Sequence, residues 1–168
     1  MRRRRPAVMA AILLAWTASL SPVRAQTAED DPAGVFLRYV AIVNAGDLEG
    51  LRKLLSEDIA RPGYPCPARV SNRDCVVEWV GGSVIQQHGW ITPTTSLAID
   101  GDAAYAGIEI RTELVRRSGV ERLVGIDKVR VRDGKIIELR FLHNPLDEQT
   151  SRYYAWRLPQ VDRNPANH

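Results

Sequence analysis

Cysteine is scarce in this chain, two residues in 168, and histidine is nearly so, with three. No Cys-x-x-Cys pair occurs, which removes the common dithiol redox motif. No three-ligand cluster of His, Cys, Asp or Glu has convincing spacing, so no metal is expected. There is no internal repeat and no low-complexity block. The apolar segment Ala7 to Leu20 is short for a membrane span. A basic excess is also missing once the first residues are set aside. Of the 23 Lys and Arg, Arg2 to Arg5 and Arg24 lie in residues 1–25, leaving 18 against 20 Asp and Glu in residues 26–168. The net charge there is −2. Neither charge nor motif supports nucleic-acid binding.

What is present begins with a leader. Arg2 to Arg5 form a basic head, an apolar segment follows, and Val23-Arg24-Ala25 ends in small residues at a cleavage pattern. Residues 1–25 are therefore expected to be a secretory signal peptide, with the remainder periplasmic or secreted and without a stable membrane span. Residues 26–31 form a polar lead-in. In an exported chain, Cys66 and Cys75 are expected to form a disulfide closing a loop of about ten residues, worth roughly 2–3 kcal/mol in the chain-entropy picture.

Three helices are read between residues 32 and 80. Asp31 is a plausible N-cap with Pro32 behind it, and Phe36, Tyr39, Val40 and Val43 recur at helical spacing. Asn44-Ala45-Gly46 stops this helix; Asp47 caps the next, whose face is Leu48, Leu51, Leu54 and Leu55. Pro62, Gly63, Pro65 and Pro67 break regular structure. Ser71 and Asp74 make a capping box for a third helix.

Strands follow. Val84 to Gln87 reads as a short one, and Pro93 marks an edge or a bulge in the next. Ala104, Ala106, Ile108, Ile110, Thr112 and Leu114 form one face of a long strand, with Tyr105, Glu109, Arg111 and Glu113 on the other. Arg116 to Gly119 is a turn. The last hairpin, Glu121 to His143, puts Leu123, Asp127, Val129 and Val131 on one face, and Ile137, Leu139, Phe141 and His143 on one face of the partner strand. A three-residue loop, Arg132-Asp133-Gly134, is expected, because it sets Val129 opposite Ile137 and Asp127 opposite Leu139 and keeps the apolar faces together. Residues 145–168 are an extension in which Tyr153, Tyr154 and Trp156 can dock and the last part is frayed.

One carboxylate, Asp127, thus stands in an apolar stripe. It is either a buried acceptor for Tyr39, His143 or backbone, or a carboxylic acid kept neutral by its surroundings and able to donate to a ligand oxygen. Tyr39 is an inward-facing tyrosine with a polar tip. His143 is a core histidine or a candidate base, and His88, near the start of the sheet, is a candidate for the cavity wall or the base. Trp79 and Trp90 are either pocket walls or core packing.

The segment FLRYVAIVNAGDLEGLRKLLSEDI, Phe36 to Ile59, resembles the opening helices of the NTF2-like superfamily in its SnoaL-like and steroid isomerase branch. GIDKVRVRDGKIIELRFLH, Gly125 to His143, resembles the final hairpin of the same group. The resemblance spans Asp31 to Asn144, matching a domain at residues 32–144. It implies an α+β cone: three N-terminal helices packed on a strongly curved antiparallel sheet around an apolar cavity. It also implies an oxyanion hole of Tyr39 and Asp127. The family's proton-moving aspartate falls near Gly63, which cannot abstract a proton.

Three functions remain in competition. One is a small-molecule binder, with Tyr39, Asp127, His143, Trp79 and Trp90 lining the pocket and an apolar ligand inside. The second is an isomerase, cyclase or dehydratase using Tyr39 and Asp127 to polarise a carbonyl, with His88 or His143 as base. The third is an interaction module that forms a homodimer through the sheet face. None requires a cofactor.

Overall fold

The computed structural model describes residues 31–60, 66 and 69–161. Helix α1 (Pro32–Asn44) starts where Asp31 accepts a hydrogen bond from the Gly34 N–H at 2.6 Å, with Pro32 at its first position. It buries Val35, Phe36, Tyr39, Val40 and Val43, the stripe read from the sequence. α2 (Leu48–Leu54) is capped by Asp47, and α3 (Asn72–Ser83) by Ser71. The Cys66–Cys75 disulfide is formed, with Cα atoms 5.8 Å apart, and ties Cys66 to the first turn of α3.

Five antiparallel strands follow: β1 (Trp90–Pro93), β2 (Ala98–Asp100), β3 (Ala103–Arg111), β4 (Leu123–Arg132) and β5 (Lys135–His143). The sheet order is β1-β3-β4-β5, with β2 also paired to β3. β1 and β2 therefore lie end to end along one margin, and Pro93 sits at that edge. The helices cover one face, and Ala104, Ala106, Ile108, Ile110, Leu123, Val129, Val131, Ile136 and Leu139 bury against them.

This is an α+β fold, but not the strongly curved cone implied by the resemblance. The sheet is open: β5 ends it on one side, β1 and β2 on the other. Bulges are what bend a sheet sharply. The described ladders carry one register shift, at Arg130/Val131, and the β3–β4 ladder runs from Ala103↔Arg130 to Ile110↔Leu123 without any.

That one shift also corrects the hairpin. The turn is the two residues Asp133 and Gly134, with φ of 51° and 70°, and Arg132 pairs with Lys135. Asp-Gly favours this left-handed pair, because its twist matches that of the strands. Val131 then faces Ile136, Ile137 is bulged out, and Val129 faces Leu139. Ile136, not Ile137, enters the core, so apolar faces still match, but Asp127 lies opposite Phe141 rather than Leu139. The Ile137 carbonyl accepts from the Ala60 N–H at 2.8 Å, so the bulge has its own partner.

Three further elements differ from expectation. Ile85–Gln87 is a 3-10 turn, not a strand. β3 stops at Arg111, because the Thr112 hydroxyl accepts from the Val115 N–H at 3.1 Å and caps a short helix, α4 (Glu113–Arg117). The C-terminal extension contains helix α5 (Glu148–Val161), capped by Asp147, whose carboxylate accepts from the Thr150 N–H at 2.9 Å. Among the described residues no helix is long and apolar enough to cross a membrane, and no group of three or more His, Cys, Asp or Glu could hold a metal ion. The leader, residues 26–30 of the lead-in, residues 61–65 and 67–68 of the Pro-rich break, and the tail from 162 lie outside the described residues.

Candidate ligand-binding site

Two elements distant in sequence bring Tyr39 and Asp127 together. Tyr39 belongs to the buried stripe of α1, with Val35, Phe36, Val40 and Val43, and that stripe faces the sheet. Strand alternation on β4 sends Leu123, Gly125, Asp127, Val129 and Val131 to the same face. On either side of Asp127 stand Ala106 of β3 and Phe141 of β5. The alanine keeps the rung low beneath α1.

Tyr39 and Asp127 are each 2% exposed, and the Tyr39 hydroxyl donates to Asp127 Oδ2 at 3.3 Å. The Phe36 ring meets the Tyr39 ring edge-on, with centroids 6.4 Å apart. Among the described residues no Lys, Arg or His pairs with Asp127; Arg140 instead pairs with Glu138. Burial away from water, opposed only by the Tyr39 hydrogen bond, pushes the Asp127 carboxyl up to about 7. Near neutrality a large share of Asp127 is therefore protonated. A protonated carboxyl has one donor to give; the single proton of the Tyr39 hydroxyl is held by Asp127 Oδ2 and becomes a second donor to a ligand oxygen only by leaving that bond. Together they can hold a carbonyl, enol or phenol oxygen inside an apolar surround.

The other sequence candidates do not join this pair. His88, in a left-handed conformation at φ 48°, is exposed and its Nδ1 lies 3.0 Å from Glu113 Oε1. His143 lies opposite Gly125 on the Asp127 face but is exposed, stacked on the Tyr154 ring at 4.3 Å. Trp90 is exposed on the edge strand β1. Trp79 is half-buried on α3 and packs against the core. Gly63, at the family's base position, lies outside the described residues.

Three residues near the site were not singled out from the sequence. Phe141 is the direct neighbour of Asp127; its hydrophobic character was legible, but its rung depended on the bulge. Asn44 Nδ2 donates to the Ile91 carbonyl at 2.9 Å and its Oδ1 accepts from the Ile91 N–H at 2.8 Å, so the residue that ends α1 also pins β1 beneath it. Thr150 is fully buried; its hydroxyl accepts from the Val124 N–H at 2.9 Å and docks α5 on β4. An Asp followed by Thr three positions later, Asp147 and Thr150, was the available signal.

On the outer face of the sheet, Ile126 and Leu142 are direct cross-strand neighbours, 44% and 53% exposed. Arg140 and Lys128 form the next rung of that face.

Comparison with known proteins shows what the chain as a whole is similar to. The family profile described as SnoaL-like domain matches residues 36–139. Curated proteins give no significant match. Among solved structures, a candidate ketosteroid isomerase from Kribbella flavida is similar at 24% identity and a TM-score of 0.53, covering 71% of this chain and 82% of that one. A candidate polyketide cyclase from Sinorhizobium meliloti aligns at 16% identity and a TM-score of 0.52, over 64% of this chain and 92% of its own. A protein of unknown function with a cystatin-like fold from Xanthomonas campestris gives 18% identity and a TM-score of 0.55, over 74% and 97%. At these identities the structures share the fold alone. With more than half of its length matched by the profile, the chain belongs to the SnoaL-like family.

Proposed function

We propose that this protein binds a small, largely apolar molecule at Asp127, gripping one ligand oxygen with the Asp127 carboxylic acid and the Tyr39 hydroxyl. The observation that carries this reading is a carboxyl buried in an apolar face with a tyrosine hydroxyl as its partner and no cation paired to it among the described residues. Leaving such a group in a core costs stability that a hydrocarbon would not, which supports a use for it. Catalysis by isomerisation, cyclisation or dehydration needs a base within reach of the bound ligand. His88 and His143 are both turned to solvent, which favours binding over catalysis at this site. The leader pattern, together with the disulfide, supports a periplasmic or secreted location.

The test is purification of the full chain under native conditions, followed by mass spectrometry of retained small molecules. Binding of the identified molecule, or of simple phenols and cyclic enones, is then compared between the wild type and Asp127→Asn and Tyr39→Phe. Weakened binding in both variants supports the reading. Unchanged binding in both removes Asp127 and Tyr39 from the site.

A second reading rests on a different observation. The exposed Ile126–Leu142 pair on the outer face supports a homodimer formed through the sheet. Sedimentation of the wild type and Ile126→Glu over a concentration series tests it; a monomer at all concentrations for both rejects it.

A further inference from the structure

If a ligand binds at Asp127, it must reach a side chain that is 2% exposed. The inner face shows from which direction. Along β5 the inward residues run Leu139, Phe141, His143, and they pass from buried through half-buried to exposed. Toward the turn the face is sealed: Val129 and Ile136 are fully buried and Val131 nearly so. Toward the end of β5 it opens.

Phe141 stands at the transition. It lies directly opposite Asp127, and its ring leans along the sheet toward the open end, over Gly125. A Cβ on Gly125 would collide with Phe141 Cε2 and, at 2.7 Å, with Cζ, so the bare glycine is what allows the ring to lie there. The next inward position is His143, opposite Gly125 and roughly 7 Å further along the strand. It stacks on Tyr154 of α5, which in turn meets Tyr153 edge-on at 5.4 Å. α5 is held at this end by the Thr150–Val124 hydrogen bond. It lies beyond the segment matched to the family, residues 36–139.

We propose that the Phe141 ring, resting over Gly125, is the gate on the path from solvent to Asp127, and that His143 and Tyr154 frame the outer opening. The consequence for ligands rests on the binding reading above; the gate itself does not. A flat or slender molecule fits a path that one ring must vacate by turning about its own side-chain bonds. Passage is then limited by the size of the group that moves past Phe141, and α5 sets the outer width.

The test first needs no ligand. Carboxyl 13C NMR on protein labelled in aspartate follows the titration of Asp127, assigned by its loss in Asp127→Asn. In Phe141→Ala, water reaches the carboxyl, and the midpoint is expected to fall by about one pH unit or more toward the ordinary carboxylate range. Phe141→Leu, which keeps apolar filling but not a ring over Gly125, is expected to give a smaller fall and serves if the alanine variant does not hold its fold. Ile99→Ala, on the same face at the opposite, β2 edge, is expected to leave the midpoint where it was. Folded Phe141 variants with an unmoved midpoint overturn the gate, as does a fall in Ile99→Ala that matches or exceeds theirs. Dissociation of the retained molecule is then timed in the same variants. Faster release from Phe141→Ala than from Ile99→Ala supports the gate as the ligand's path. A carboxyl that becomes accessible in a protein that binds nothing leaves the gate standing and fails the binding reading alone.

Discussion

Replacing Asp127 with asparagine should change the pH dependence of stability more than its value at any one pH. The carboxyl has an ordinary pKa of 3.8 and sits at about 7 in the folded chain. Below the ordinary value, both folded and unfolded chains carry the proton, and Asp127 contributes no pH dependence. As pH rises, the unfolded chain ionises first and the folded chain holds its proton, so stability falls. It stops falling once the folded carboxyl ionises near pH 7. At about 1.4 kcal/mol for each pH unit across that window, the loss totals about 4 kcal/mol. The asparagine variant has no such loss. It carries instead a constant penalty of about 1–3 kcal/mol for a buried amide N–H left without an acceptor. The wild type should therefore be the more stable protein near pH 4, and the variant should equal or overtake it by pH 8. Urea denaturation of both proteins at intervals between these limits gives the difference curve. Other carboxyls, such as Asp74, held low by the Ser71 hydroxyl and Arg52, or Asp147, held low by hydrogen bonds from Thr150, drop out of the difference. A difference that stays flat from pH 4 to 8 would mean that Asp127 is ionised or hydrated in the folded chain, and the reasoning about its burial would be refuted.

Three other variants test neighbouring parts of the structure. Tyr39→Phe removes the one hydrogen bond that lowers the Asp127 pKa, so the carboxyl midpoint should rise above its wild-type value, read by 13C NMR; a fall would show that the hydroxyl was not donating to Asp127. Thr150→Val keeps the shape but takes away the acceptor for the Val124 N–H; it should cost about 1–3 kcal/mol, and hydrogen exchange should show α5 losing protection ahead of the sheet. Cys66→Ser combined with Cys75→Ala should lower stability by about 2–3 kcal/mol in the chain-entropy picture, and a reductant should lower the wild type by a similar amount while leaving the double variant unchanged.

The parts of the fold that were legible in the sequence are those fixed by local chemistry. Asp31 with Pro32, Asp47, and Ser71 with Asp74 each mark a helix start, and each is one. The alternation on β3 and β4 places Ala104 to Ile110 and Leu123 to Val131 on the covered face. What was not legible depended on a choice between two local solutions. Thr112 can continue a strand or cap a helix, and the strand pattern of Leu114 concealed the cap. The Asp133-Gly134 pair signalled its own turn, but a two-residue turn with unbroken pairing set Val129 against Glu138. The pairing that occurs keeps both the preferred turn and the matched faces by adding a bulge, a third solution that neither the turn nor the alternation reveals alone. The curvature of the sheet is a property of the whole ladder, set by how many such shifts accumulate, and resemblance to a curved family overestimated it.

The same distinction explains which site residues were readable. Asp127 was visible because a charged residue in an apolar stripe is a local contradiction, and Tyr39 because helix phase determines where it points. Their meeting across 88 residues needed only that both faces turn inward, and they do, within hydrogen-bonding distance. The histidines failed to join them for a reason that face alternation cannot supply. His143 is on the correct face, yet it stands past the point where that face is covered, and its ring packs against α5, a helix whose start only the Asp147–Thr150 pair signals. Phase tells which way a side chain points; depth along the strand tells whether anything lies above it. For this chain the difference between a base beside a ligand and a rim residue in water is one strand rung, from the row of Phe141 to the row of His143. A base for this site, if one is to be found by substitution, should therefore be sought at the depth of Asp127 rather than among residues chosen for facing it.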